Sequence, residues 1–146
     1  MTPTLVGRLQ TRLAVTVLVG GVWTLFVSVF LPGGGAGYGD RLATALGVLF
    51  TMLLLGLVWE FVYHWLMGFR WEKDWPSLLG LVTGLNEGIV LFVTIRAGGA
   101  PGVGSELGTD AFLIHFVTVW LVTWGWLQGP MKVVDPRWRF RGGRIW

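Results

Sequence analysis

The stretch "GLVTGLNEGIVLF", residues 80–92, carries a single charge, Glu87, among Gly, Thr, Asn and large apolar side chains. Whether this run lies in water or in hydrocarbon decides the fold. The 146-residue chain is 53% hydrophobic and 13% charged, with a mean hydropathy of +0.66. Average soluble domains carry about 25% charged residues, so this chain has too few to cover a soluble surface. The charges are also segregated. None occurs from Leu13 to Gly39, from Leu42 to Trp59 or from Ala111 to Met131, and Glu87 stands alone between Trp75 and Ile95. Each gap matches the roughly 20 residues that cross a bilayer core. The expected fold is an all-α integral membrane protein, a small bundle of four transmembrane helices near residues 13–31, 42–67, 76–96 and 111–129. Residues 1–146 then form one transmembrane domain with a basic, aromatic tail at 132–146.

The first apolar run follows Arg8 and Arg12, the order found in a signal peptide. It is longer than an h-region, and no small-x-small site follows it, so a retained helix is expected. Basic residues set the topology. Arg8 and Arg12 precede the first span, Arg70 and Lys73 lie between the second and third, and five more follow the fourth; only Arg41 and Arg96 fall on the other side. Both termini are therefore expected in the cytoplasm, with the chain multi-pass in the inner (plasma) membrane. The excess of nine Arg over two Lys fits a high-GC bacterial genome. The Gly-rich loops 32–40 and 97–110 lack a Gly-Lys-Ser/Thr sequence and read as flexible outer turns rather than phosphate cradles. Asp74 or Ser77 can cap the third helix, and Trp65, Trp71, Trp75 and Trp126 suit an aromatic belt.

Gly80, Gly84 and Gly88 recur every four residues and can seat another helix. At about 100° per residue Glu87 lies within roughly 20° of Gly80, on the same small, polar face. Leu81, Leu85, Ile89 and Phe92 form another side, expected to meet lipid. Asn86 points about 100° away from Glu87, and its amide calls for a partner from a further subunit. Glu60 and His64 are four residues apart and can share a hydrogen bond. Taking each helix midpoint as the bilayer centre, Glu60 lies roughly 9 Å and His64 roughly 15 Å to one side, and His115 roughly 7 Å to the other. Those offsets oppose a shared metal site and a bis-His haem, so no metal or cofactor is expected. They permit a staggered proton path through His64, Glu60, Glu87 and His115. Quinone or lipid binding at the aromatic side, around Trp59, Phe61, Tyr63 and Trp65, is a lesser alternative.

In the tail, Arg137, Arg139 and Arg141 alternate with Trp138 and Phe140, ahead of Arg144 and Trp146. An extended conformation would separate guanidinium groups from rings, suiting contact with lipid headgroups or a partner protein. It offers no folded platform for nucleic acid. The chain has no Cys, three Ser and two His, with no nucleophile motif or dinucleotide fingerprint, so no enzymatic activity is expected. The leading expectation is an accessory subunit of a larger membrane complex, a transporter or an energy-conserving assembly, with other integral membrane subunits and the bilayer as partners. The alternative is a small homo-oligomeric proton- or cation-conducting protein using the intramembrane Glu and His residues.

Overall fold

Thr4 starts the first helix. Its backbone is extended, and its hydroxyl accepts a 3.1 Å hydrogen bond from the Gly7 amide, filling one of the donors that a helix start leaves open. In the computed structural model, which describes residues 3–33, 36–71 and 76–146, this helix (α1) runs Leu5–Val27. It is followed by α2 (Tyr38–Met67), α3 (Ser77–Arg96), α4 (Thr109–Gln128) and a short α5 (Pro130–Val134). Four helices are long and apolar enough to cross a membrane, and the described residues contain no strand. Lys73, Asp74 and Trp75 lie outside the described residues.

The later helices keep close to their expected bounds, but α1 does not. It begins eight residues before residue 13 and ends at Val27 instead of residue 31. Arg8 and Arg12 are thus inside the helix and do not flank it. The opening segment LVGRLQTRLA is amphipathic, and its polar side turns into the bundle, with Gly7 and Thr11 buried. Val15–Gly20 forms a π-helical stretch that begins three residues after Arg12. Such wide turns re-aim the residues around them and recur at functional sites.

α1 packs on α2 and α4, α2 and α4 each pack on α3, and α2 meets α4 across the bundle; α1 and α3 do not pack together. Both chain ends lie at one end of the bundle, the terminal end, where the Thr4 amide donates to the Gly142 carbonyl at 2.8 Å. The apolar core occupies the opposite, distal half. Val48 and Leu49 from α2, Leu91 and Ile95 from α3, and Phe112, Phe116 and Val119 from α4 fill it. The loop after α3 closes this end. Ala100 and Val103 are buried, and the Arg96 guanidinium donates to the Ser105 carbonyl (2.9 Å) and Thr109 hydroxyl (3.1 Å). This loop is a packed cap, not the open turn its glycines suggest.

The glycine face of α3 also has a different use. Phe112, Phe116 and Trp120 stack along α4 with centroids 5.6 and 6.0 Å apart. A Cβ on Gly84 would strike the Trp120 indole, and one on Gly88 the Phe116 ring. Gly84 and Gly88 seat aromatic rings of their own chain, and an outward-facing apolar groove between α3 and α4 runs beside them. Leu85 and Ile89 are exposed as expected, whereas Leu81 and Phe92 pack against the core.

Candidate functional site

Away from the core, the terminal half of the bundle is held by charges. Arg8 Nε donates to Glu60 Oε2 at 2.7 Å, the Arg12 guanidinium is 3.9 Å from Glu60 Oε1, and Arg12 also donates to Glu87 Oε2. Two helical turns thus supply two cations to two carboxylates, Glu60 on α2 and Glu87 on α3. Glu60 is 8% exposed and Glu87 3%. Ionised groups so little exposed need compensating charge and hydrogen bonds; the paired arginines supply the charge, while Glu87 Oε1 and Arg12 Nε have no hydrogen-bond partner among the described residues. Gly56, one turn before Glu60, leaves the space the Arg12 guanidinium occupies. The guanidinium carbon also lies 5.2 Å from the Trp120 ring centroid, a cation–π contact. Tyr63 lines the same cavity as Glu60 and Glu87.

Because α1 does not pack on α3, the Arg12–Glu87 pair bridges open space. A cavity of about 380 Å³ lies there, with Arg12, Glu60 and Glu87 in its wall. Val15 and Met52 lie deep in it, Trp120 and Trp124 form one side, and Pro3, Pro76, Lys132 and Arg139 line its terminal end. Across α3 and α4, the Ser77 hydroxyl donates to Gln128 Oε1 at 2.7 Å, and Trp124 Nε1 donates to the Ser77 carbonyl at 3.0 Å.

The tail crosses from α5 back to α1. Thr11 Oγ1 donates to the Gly143 carbonyl and accepts from Trp138 Nε1, both at 2.8 Å, while the Ile145 amide donates to Gln10 Oε1 at 3.1 Å. It is a chain of turns and not an extended strand. Gly142 (φ 63°) and Gly143 (φ 85°) supply the left-handed backbone. Gly7 lets them lie directly on the helix, since a Cβ there would run into the backbone of Gly142 to Arg144. Trp138 is half-buried in this contact, whereas Arg137, Arg139, Phe140, Arg141, Arg144 and Trp146 remain exposed.

Of the anticipated path residues, the structure joins Glu60 and Glu87, through Arg12. It does not join the histidines to them. Both Glu60 oxygens face arginines, and His64 Nδ1 has no hydrogen-bond partner among the described residues. His115 belongs to the distal half, 1% exposed, with Nε2 3.0 Å from the Thr24 hydroxyl. No group of three or more His, Asp or Glu among the described residues is arranged to hold a metal. The residues missed from sequence are Arg8, Arg12, Gly56, Thr11 and Trp120. The spacing held a signal: Arg8 and Arg12 repeat at four residues, as do Gly56 and Glu60 on the facing helix.

No protein-family model matches the chain, and no curated protein or solved structure does either.

Proposed function

We propose that the protein is a small membrane-embedded binding protein that receives an amphiphile in the terminal-end cavity. The observation that supports this reading is the character of that space: charged and hydroxyl groups sit beside indole and aliphatic walls in a volume within the range of small-ligand sites. Charged residues here follow the rule that intramembrane ionisable groups face protein or an aqueous cavity and mark a site. The orientation that fits the basic residues puts the cavity mouth at the cytoplasmic face of the inner membrane. The test is native mass spectrometry of the full chain after mild detergent extraction. An amphiphile retained near one per chain, and lost in Thr83→Trp, which fills the cavity from α3, is the expected result. A wild-type chain carrying no more bound mass than the Trp variant would sink the reading.

The route through His64, Glu60, Glu87 and His115 receives less support, because the packed distal core stands between the cavity and His115. Cation passage is further opposed by the four basic side chains lining the cavity against two carboxylates.

One observation favours the second reading, an accessory subunit of a larger membrane complex. Asn86 is exposed near the middle of α3. A primary amide offers two donors and an acceptor, and in an apolar belt a neighbouring subunit could meet them. Gly84 and the tail, by contrast, are engaged within the chain. Co-purification separates the two readings: Asn86→Leu should release a partner if one docks there, and should change nothing if the chain acts alone.

A further inference from the structure

The charges in the cavity wall are not evenly used. Glu60 and Glu87 are consumed by Arg8 and Arg12, which leaves the floor electrically balanced. Lys132 and Arg139, at the terminal end of the same cavity, form no ion pair among the described residues. Asp135 lies between them in sequence, but its carboxylate accepts from the Trp138 amide at 3.2 Å and does not line the cavity. Among the described residues, the mouth therefore carries two positive charges without an ion-pair partner above a neutral floor, next to the indoles of Trp124 and Trp138.

We infer that this mouth is a phosphate site, and that the ligand of the proposed binding cavity is anionic, with a phosphate ester held by Lys132 and Arg139. This inference rests on the binding-cavity reading and names its substrate class. A basic pocket between helix ends is the usual seat of an acidic lipid headgroup. Arg offers a planar fork of donors and Lys a compact charge for phosphate oxygens. Indoles beside the cations suit the glycerol and first methylenes of such a lipid, since indole prefers the level where headgroup meets chain. A cationic or purely apolar ligand would leave both mouth cations without a counter-charge. The same chemistry would hold a free phosphate, and the experiment below separates the two sources.

The test uses the detergent-solubilised full chain, with phosphatidylglycerol, phosphatidylcholine and inorganic phosphate as probes in a native mass spectrometry competition. The expected result is a preference on the order of tenfold for the anionic lipid, given the contribution of each basic side chain near a headgroup. Lys132→Gln/Arg139→Gln should abolish that preference while still accepting phosphatidylcholine. Arg141→Gln/Arg144→Gln, which removes two exposed tail cations outside the cavity, should keep it. Binding of inorganic phosphate without lipid, lost in the Lys132/Arg139 variant, assigns the site to a soluble anion and upholds the phosphate chemistry. Equal retention of both lipids with no phosphate binding overturns the inference and leaves the binding cavity standing. An equal loss of preference in both double variants also overturns it, because general surface charge would then account for the effect. No retained lipid or phosphate at all overturns both the inference and the cavity reading.

Discussion

Leu91, Ile95, Phe112 and Val119 in the distal half are at most 3% exposed and belong to one apolar cluster with Ala100 and Val103 of the cap loop. A few turns away, the same helices are separated by a cavity and tied by Arg8, Arg12, Glu60 and Glu87. The difference shows where each kind of interaction is suited. Dense apolar packing fills the interior of the distal half, and the space beside it is an outward-facing apolar groove between α3 and α4, lined by Ile89, Phe92, Val93 and Leu113. Ion pairs reach across space that packing does not fill, so the terminal half can be both tied together and hollow. Arg12 is the clearest case, since its long side chain connects two helices that do not pack on each other.

The largest expected effect comes from breaking a tie in the hollow half. Glu87→Ala leaves the Arg12 guanidinium without its most buried partner and should cost about 3–5 kcal/mol, read as a fall in the thermal midpoint in detergent. Adding Arg12→Met to Glu87→Met should restore most of that loss, because replacing a buried pair by apolar groups is often neutral. If the double variant were as unstable as Glu87→Ala, the pair would be more than a tie. Phe116→Ala strikes the packed half. It removes the middle ring of the α4 column and should cost about 3–5 kcal/mol as a cavity mutation, at the lower end if α3 collapses onto it through Gly88. Unlike Glu87→Ala, it should leave ligand retention intact wherever the protein stays folded.

Smaller effects belong to the strap over the cavity mouth. Removing residues 136–146 deletes the tail's hydrogen bonds to α1. At roughly 1 kcal/mol each, less the freedom regained by the tail, the net loss should be about 2 kcal/mol. Gly7→Leu should reproduce it with the chain intact, seen as faster amide exchange at Ile145. Unchanged exchange there would mean that the tail does not rest on α1. Ser77→Ala, at an exposed bond between α3 and α4, should cost less than about 1 kcal/mol.

Much of the bundle could be read from charge spacing. The charge-poor stretches located α3 and α4 almost to the residue, and the 3.6-residue period placed Glu87 on the inner face of α3. The same rule misplaced the start of α1. Counting Arg8 and Arg12 as flanking charges is sound when arginines face water, but here they face carboxylates on other helices, and single-helix arithmetic carries no information about those partners. Gly84 and Gly88 were recognisable as a contact face, while the rings they seat depend on the rotation of α4. The alternation of Arg with Trp138 and Phe140 suggested an extended tail; Gly142 and Gly143, in the left-handed region, turn it back onto Gly7 instead. Each miss concerns which surface meets which, and pattern within one segment does not encode that.

The terminal half of this bundle holds a polar cavity reachable from water, whereas the interior of the distal half is closed. The chain contains no cysteine, so single-cysteine variants report without background. Thr83→Cys stands on the cavity wall, and Val48→Cys in the core, where Val48 is 1% exposed. In membranes treated with a small water-soluble thiol reagent, Thr83→Cys should be labelled from the side bearing the termini and protected by bound amphiphile, with Val48→Cys inert. Thr83→Cys as unreactive as Val48→Cys would contradict the account.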